Sequence, residues 1–154
     1  LLTHPSQDDF LKQGITTIIG GHCGASLAPL LYGSLESIRK WANPDLINVN
    51  WHWMSEFLRT LEKQKIGVNF GTLVGHSTVR RALIGEDARD LTDKELGVFE
   101  RIVEQSLKDG ALGLSTGLGY AHGRLTPYAE IRALVKIVAR YNVVYSTHLR
   151  DERS

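Results

Sequence analysis

Four short apolar runs rich in β-branched residues, each bounded by glycine or polar positions, stand out along the chain: Ile15–Gly20, Val68–Gly75, Ala111–Thr116 and Val143–Thr147. None alternates cleanly between apolar and polar, the pattern of strands buried on both faces of a parallel sheet. Between these runs the period changes. Met54, Phe57, Leu58 and Leu61 share one helical face, and Gly67 is placed to end that helix. Thr92-Asp93-Lys94-Glu95 has the spacing of a capping box, and the stripe Leu96, Phe99, Val103, Leu107 runs on from it to a stop at Gly110. Thr126-Pro127 predicts the opening of a last helix whose buried face is Ile131, Leu134, Val135 and Val138. Strand and helix therefore alternate, which predicts an α/β fold with a parallel sheet and helices outside. Four such units are half of an eightfold barrel or most of an open doubly wound sheet. The segment Leu31–Asn50, with a Trp, a Pro and several Asn, stands outside the alternation.

Composition narrows the function classes. With 42% hydrophobic and 23% charged residues the chain has globular values, and its 154 residues are enough for a real core. Eighteen basic and seventeen acidic side chains leave a formal charge of +1 and no Lys/Arg run, so neither nucleic acid nor an anionic membrane has electrostatic support as a partner. No apolar stretch approaches the roughly 20 residues of a membrane helix. The single cysteine agrees with a reducing, cytoplasmic setting. The chain starts at Leu1 without an initiator methionine and stops at Ser154 just after a strand-like run, which reads as a piece of a longer repeating pattern.

The chemistry-bearing residues cluster at strand ends. Cys23 lies in Gly20-Gly21-His22-Cys23-Gly24, directly after the first run, and His148 directly follows the last. A lone cysteine is usually a small core hydrophobe. Flanking glycines, which permit a sharp turn or a close backbone approach, are not what a core cysteine needs. Thiolate and imidazole are both good zinc ligands. If the runs are parallel strands of one barrel, both side chains open onto its C-terminal rim, where barrel enzymes keep their chemistry. Ser146-Thr147-His148-Leu149-Arg150-Asp151-Glu152 is dense in polar groups, as site loops and solvated surfaces are. His76 ends the run Thr72-Leu73-Val74-Gly75 and is open to three roles: ligand, substrate contact, or hydrogen bond to a neighbouring loop. Gly113-Leu114-Ser115-Thr116-Gly117-Leu118-Gly119-Tyr120 is glycine-rich but matches neither a P-loop nor Gly-x-Gly-x-x-Gly. His4, His22, His52 and His122 have no comparable context.

Four stretches taken together resemble the N-acyl-D-amino-acid deacylase (D-aminoacylase) family of the metal-dependent amidohydrolase superfamily. They are Gln13–Thr17 through Cys23–Leu30, Leu73–Arg80, Gly110–Leu118 and Tyr145–Glu152, in family order over nearly the whole chain. The resemblance implies a partial (β/α)8 TIM barrel of the amidohydrolase type. Residues 1–154 would form one piece of its catalytic domain, roughly the second to fifth strand–helix units, with no second domain. It implies zinc-dependent hydrolysis of the amide bond of small N-acyl-D-amino acids. Cys23 matches a zinc ligand that stands where many relatives have a carboxylated lysine, and His148 matches another. Tyr120 and Arg150 fall where substrate contacts are expected, and Ser115 and His76 are counted with them.

The family's His-x-His pair would precede Leu1, and a further zinc histidine and the general acid/base aspartate would lie beyond Ser154. His22 stands where the family pattern has Asn. The mechanism implied is metal-assisted attack of water, with an aspartate moving the proton to the leaving amine. Two rivals remain: a cyclic-amide hydrolase of the dihydroorotase or hydantoinase type, which the thiol at Cys23 argues against, and a non-catalytic α/β binding relative. By itself the piece is expected to be inactive and to self-associate, needing the rest of its barrel or an oligomer partner.

Overall fold

The computed structural model describes residues 2–32, 38, 39, 43, 45 and 47–151. The elements run α1 (Asp8–Leu11), β1 (Thr17–Gly20), α2 (Met54–Gln64), β2 (Asn69–Thr72), β3 (Val74–Gly75), α3 (His76–Ile84), α4 (Asp93–Lys108), β4 (Gly113–Gly117), α5 (Ala121–Arg124), α6 (Tyr128–Arg140) and β5 (Val144–His148). Trp41 and Pro44 of the irregular segment, and the terminal Glu152-Arg153-Ser154, lie outside the described residues.

Every ladder among the described residues is parallel: β1 with β2, β3 with β4, and β4 with β5. The predicted second strand is divided at Leu73, whose amide donates to Gly20 O at 3.0 Å, and Leu112 N donates to Thr72 O at 2.9 Å across the break. The spatial order is thus the chain order, a partial α/β barrel wall. Side chains alternate along each strand. Val74 and Leu114 face the helices and are fully buried with Phe57 of α2, Phe99 and Val103 of α4, and Leu134 of α6. Burying one such side chain stabilises by roughly 1.5–3 kcal/mol. The other face of β4 and β5 carries Ser115, Gly117, Ser146 and His148.

The helices form for local reasons, with some boundaries moved by tertiary contacts. In α4 the Thr92 hydroxyl accepts from Glu95 N at 3.3 Å while Glu95 Oε2 accepts from Thr92 N at 2.8 Å, the expected capping box. The α2 helix ends at Gln64, on a left-handed Lys65 (φ 51°), and not at Gly67, whose amide is taken by Pro5 O at 2.8 Å. Pro127, not Thr126, is the N-cap of α6, because the buried Thr126 hydroxyl turns back to donate to His122 O. The buried face of α6 is Glu130, Leu134, Ile137 and Val138, so a carboxylate takes a place in the apolar stripe. The α3 helix was not expected: Ser77, Thr78 and Val79 are weak helix formers directly after a strand. Tertiary contacts to this first turn override propensity.

Candidate functional site

The loop after β1 folds over the inner face of the sheet. Cys23 has φ +55° and Gly24 φ +76°, so the chain turns sharply at the thiol. A Cβ at Gly24 would stand 2.8 Å from Gly117 N, which is why only glycine lets the loop descend onto β4. Ser115, fully buried on β4, clamps the loop at two points: its Oγ accepts from Gly24 N at 3.0 Å and donates to Gly21 O. A second clamp is Ser26, whose Oγ accepts from Gly75 N at 3.0 Å and whose N donates to Thr78 Oγ1 at 2.9 Å.

Gly117 is where the parts meet. It stands beside His148 in the β4–β5 register. A side chain there would collide with the Cys23 carbonyl and, at 2.6 Å, with the Tyr120 ring. The Tyr120 ring in turn lies 4.7 Å from that of His148, tilted by 40°. Cys23, Tyr120 and His148 therefore surround one glycine at the C-terminal ends of β1, β4 and β5, although Cys23 and His148 are 125 residues apart in the chain. Cys23 is half-buried, and His22 reaches across to Ser146 Oγ at 3.3 Å.

The remaining candidates fall elsewhere. Arg150 donates to the carbonyls of Arg124 and Thr126, the latter at 2.9 Å, and so ties the segment carrying Tyr120 to the end of β5. His76 is wholly enclosed, with Nε2 2.7 Å from Glu130 Oε1. Sequence reading missed Glu130 and Arg80, whose Nε lies 3.2 Å from the same carboxylate. The available signal was a glutamate in phase with Leu134 and Ile137 on the apolar face of α6. His122, given no role from sequence, donates to Glu86 at 2.5 Å. That bond, ahead of the one from Arg81, holds the Glu86 carboxyl below its ordinary range.

Among the described residues no group of three or more His, Cys, Asp or Glu side chains is placed to hold a metal ion. Cys23 and His148 suit zinc in donor type, and as a pair they are two short of a closed tetrahedral site and one short of a catalytic one.

The architecture is a parallel α/β wall with Cys23 and His148 at the C-terminal ends of its strands. No protein-family model matches the chain. It is 35% identical to an N-acyl-D-aspartate deacylase of Alcaligenes xylosoxydans over 154 residues, covering 99% of the chain and 30% of that protein. It superposes on the crystal structure of a D-aminoacylase described as defining a novel subset of amidohydrolases, with a TM-score of 0.85, 32% identity, and 99% of this chain and 32% of that one covered. It is similar also to an N-acyl-D-glutamate deacylase from Bordetella bronchiseptica, solved with zinc and a phosphonate mimic of the tetrahedral intermediate (TM-score 0.82, 27% identity, 98% and 31% covered). Over nearly its whole length the chain is similar to one segment of D-aminoacylase-type amidohydrolases. It spans about 30% of the length of the curated relatives it matches.

Proposed function

We propose that the protein carrying this chain is a zinc-dependent hydrolase of the amide bond of N-acyl-D-amino acids, and that residues 1–154 supply about the second to fifth strand–helix units of its barrel. The observation that carries the reading is the convergence of the Cys23 backbone and of His148 on Gly117 at one end of the strands. The relatives act on linear N-acyl-D-aspartate and N-acyl-D-glutamate, as their names state, which favours a linear over a cyclic amide. Ile19 and Val144, strand residues respectively 49% and 56% exposed, suit a wall that the remainder of the barrel covers. No described helix is long and apolar enough to cross a membrane; a cytoplasmic location is part of the same reading.

In this proposal Cys23 and His148 hold the ion. Zinc bound there would supply Lewis-acid polarisation of the carbonyl and a water of lowered pKa. Cys23 gives up its proton to bind, so affinity falls on acidification. Ser115 holds the Cys23 loop from beneath. Tyr120, stacked on His148, orients that ring and offers its phenol edge to substrate. Arg150 fixes the Tyr120 segment through two carbonyls.

The test is zinc content and hydrolysis of N-acetyl-D- against N-acetyl-L-amino acids by the full-length protein, with Cys23→Ser beside it. Bound zinc, D-selectivity, and loss of both zinc and rate in Cys23→Ser are expected. Turnover of hydantoins or dihydroorotate in place of N-acyl-D-amino acids would overturn the proposal, as would full zinc content in Cys23→Ser.

A further inference from the structure

Three backbone or hydroxyl groups at the start of α3 are spent on the Cys23 loop. Gly75 N donates to Ser26 Oγ (3.0 Å), Thr78 N donates to Gly24 O (3.2 Å), and Thr78 Oγ1 accepts from Ser26 N (2.9 Å). The first N–H groups of a helix have no partner within it, so a loop that takes them is positioned by the helix end. The position of the Cys23 thiol therefore depends on what holds the first turn of α3.

His76, the first residue of α3, is 0% exposed, and its Nε2 donates to Glu130 Oε1 at 2.7 Å. Arg80, one turn later, directs Nε to the same oxygen at 3.2 Å, and its guanidinium also donates to Arg89 O at 2.6 Å. Glu130 itself lies in the first turn of α6 and is 3% exposed. Two helix beginnings are thus joined by one carboxylate shared between an imidazole and a guanidinium, with Phe99 of α4 against the His76 ring at 5.4 Å. A pair this deeply buried is weak as a source of stability, since an apolar replacement of similar shape is often as stable. Its directionality is what an apolar replacement lacks. His76 uses only one nitrogen; Nδ1 is buried with no hydrogen-bond partner among the described residues.

We propose that His76 is a positioning residue: by anchoring the first turn of α3 to Glu130 it sets the Cys23 loop over β4. Its place in catalysis rests on the function proposed above, whereas its hold on the loop does not. The experiment uses the full-length protein stripped of metal. The rate of iodoacetamide labelling of Cys23 is read by mass spectrometry of its peptide, beside each variant's thermal midpoint. His76→Leu keeps the bulk and loses the donor; labelling should rise about tenfold, the factor that matches the net worth of one buried hydrogen bond. His76→Gln returns an N–H near the position of Nε2 and should bring the rate back to within about twofold of wild type. Leu134→Ala, a core truncation outside the cluster, should lower the midpoint and leave the labelling rate within about twofold. Thr78→Val removes the loop-side partner without disturbing the buried pair and should accelerate labelling even if His76→Leu does not fold. Unchanged labelling in Thr78→Val or His76→Leu, no rescue by glutamine, or equal acceleration by Leu134→Ala would each overturn the proposal. A wild-type protein without deacylase activity would end the functional reading and leave this series intact.

Discussion

Ser115→Ala deletes one oxygen from a fully buried position on β4 and leaves two groups of the Cys23 loop without their partner. Gly24 N, 3.0 Å from Oγ, is itself buried and has no access to replacement water; Gly21 O, the other partner, is only partly buried and regains water. The first loss therefore carries the desolvation cost of an unsatisfied amide, about 1–3 kcal/mol, and the second about 0.5–1 kcal/mol. Together these are about 1.5–4 kcal/mol, which at ~1.4 kcal/mol per factor of ten amounts to roughly a ten- to several-hundredfold rise in the open population of the loop. Cys23 reports that population directly. Thiol labelling of metal-free Ser115→Ala should accelerate by about that factor, while zinc affinity falls in parallel. The competing role for Ser115 is direct substrate contact. A variant with labelling within threefold of wild type and a raised KM would refute the clamp and restore that role.

Gly24→Ala combines a left-handed φ of +76° with a Cβ 2.8 Å from Gly117 N, so it should abolish stoichiometric zinc in the full-length protein, measured by elemental analysis, with a cost well above the ~1–2 kcal/mol of the dihedral alone. Thr92→Ala should cost about 1 kcal/mol in denaturant unfolding through loss of the α4 cap, without effect on zinc content. The Glu95 carboxyl in the same box is lowered to about 2, first by Arg89 and then by Thr92. Its folded value lies below the unfolded one, so its contribution is full above about pH 4.5 and is lost as pH falls through about 2; Glu95→Gln should flatten stability over that window. The Glu86 carboxyl is likewise lowered from 4.5, by His122 before Arg81, so its tie to α5 should hold above pH 4.5 and loosen as the carboxyl protonates. Faster amide exchange at Gly123 and Arg124 below that pH, absent in Glu86→Gln, is the expected signature.

Much of the fold was legible because its determinants are local. The strand runs, the α4 capping box and the apolar stripes of α2 and α4 are written in neighbouring residues and survive folding with shifts of a few positions at their ends. Cys23 and His148 both follow the C-terminal ends of their strands, because parallel strands in chain order bring those ends to one side of the wall. What only the tertiary structure decided involves partners far apart in sequence. His76 and Ser115 look like rim residues by position, yet one is enclosed by Glu130, 54 residues on, and the other is occupied by a loop 91 residues back. The burial of Glu130 and the formation of α3 from Ser77-Thr78-Val79 have the same cause. A buried polar group must find its partner somewhere in space, and local pattern holds no record of where that partner is.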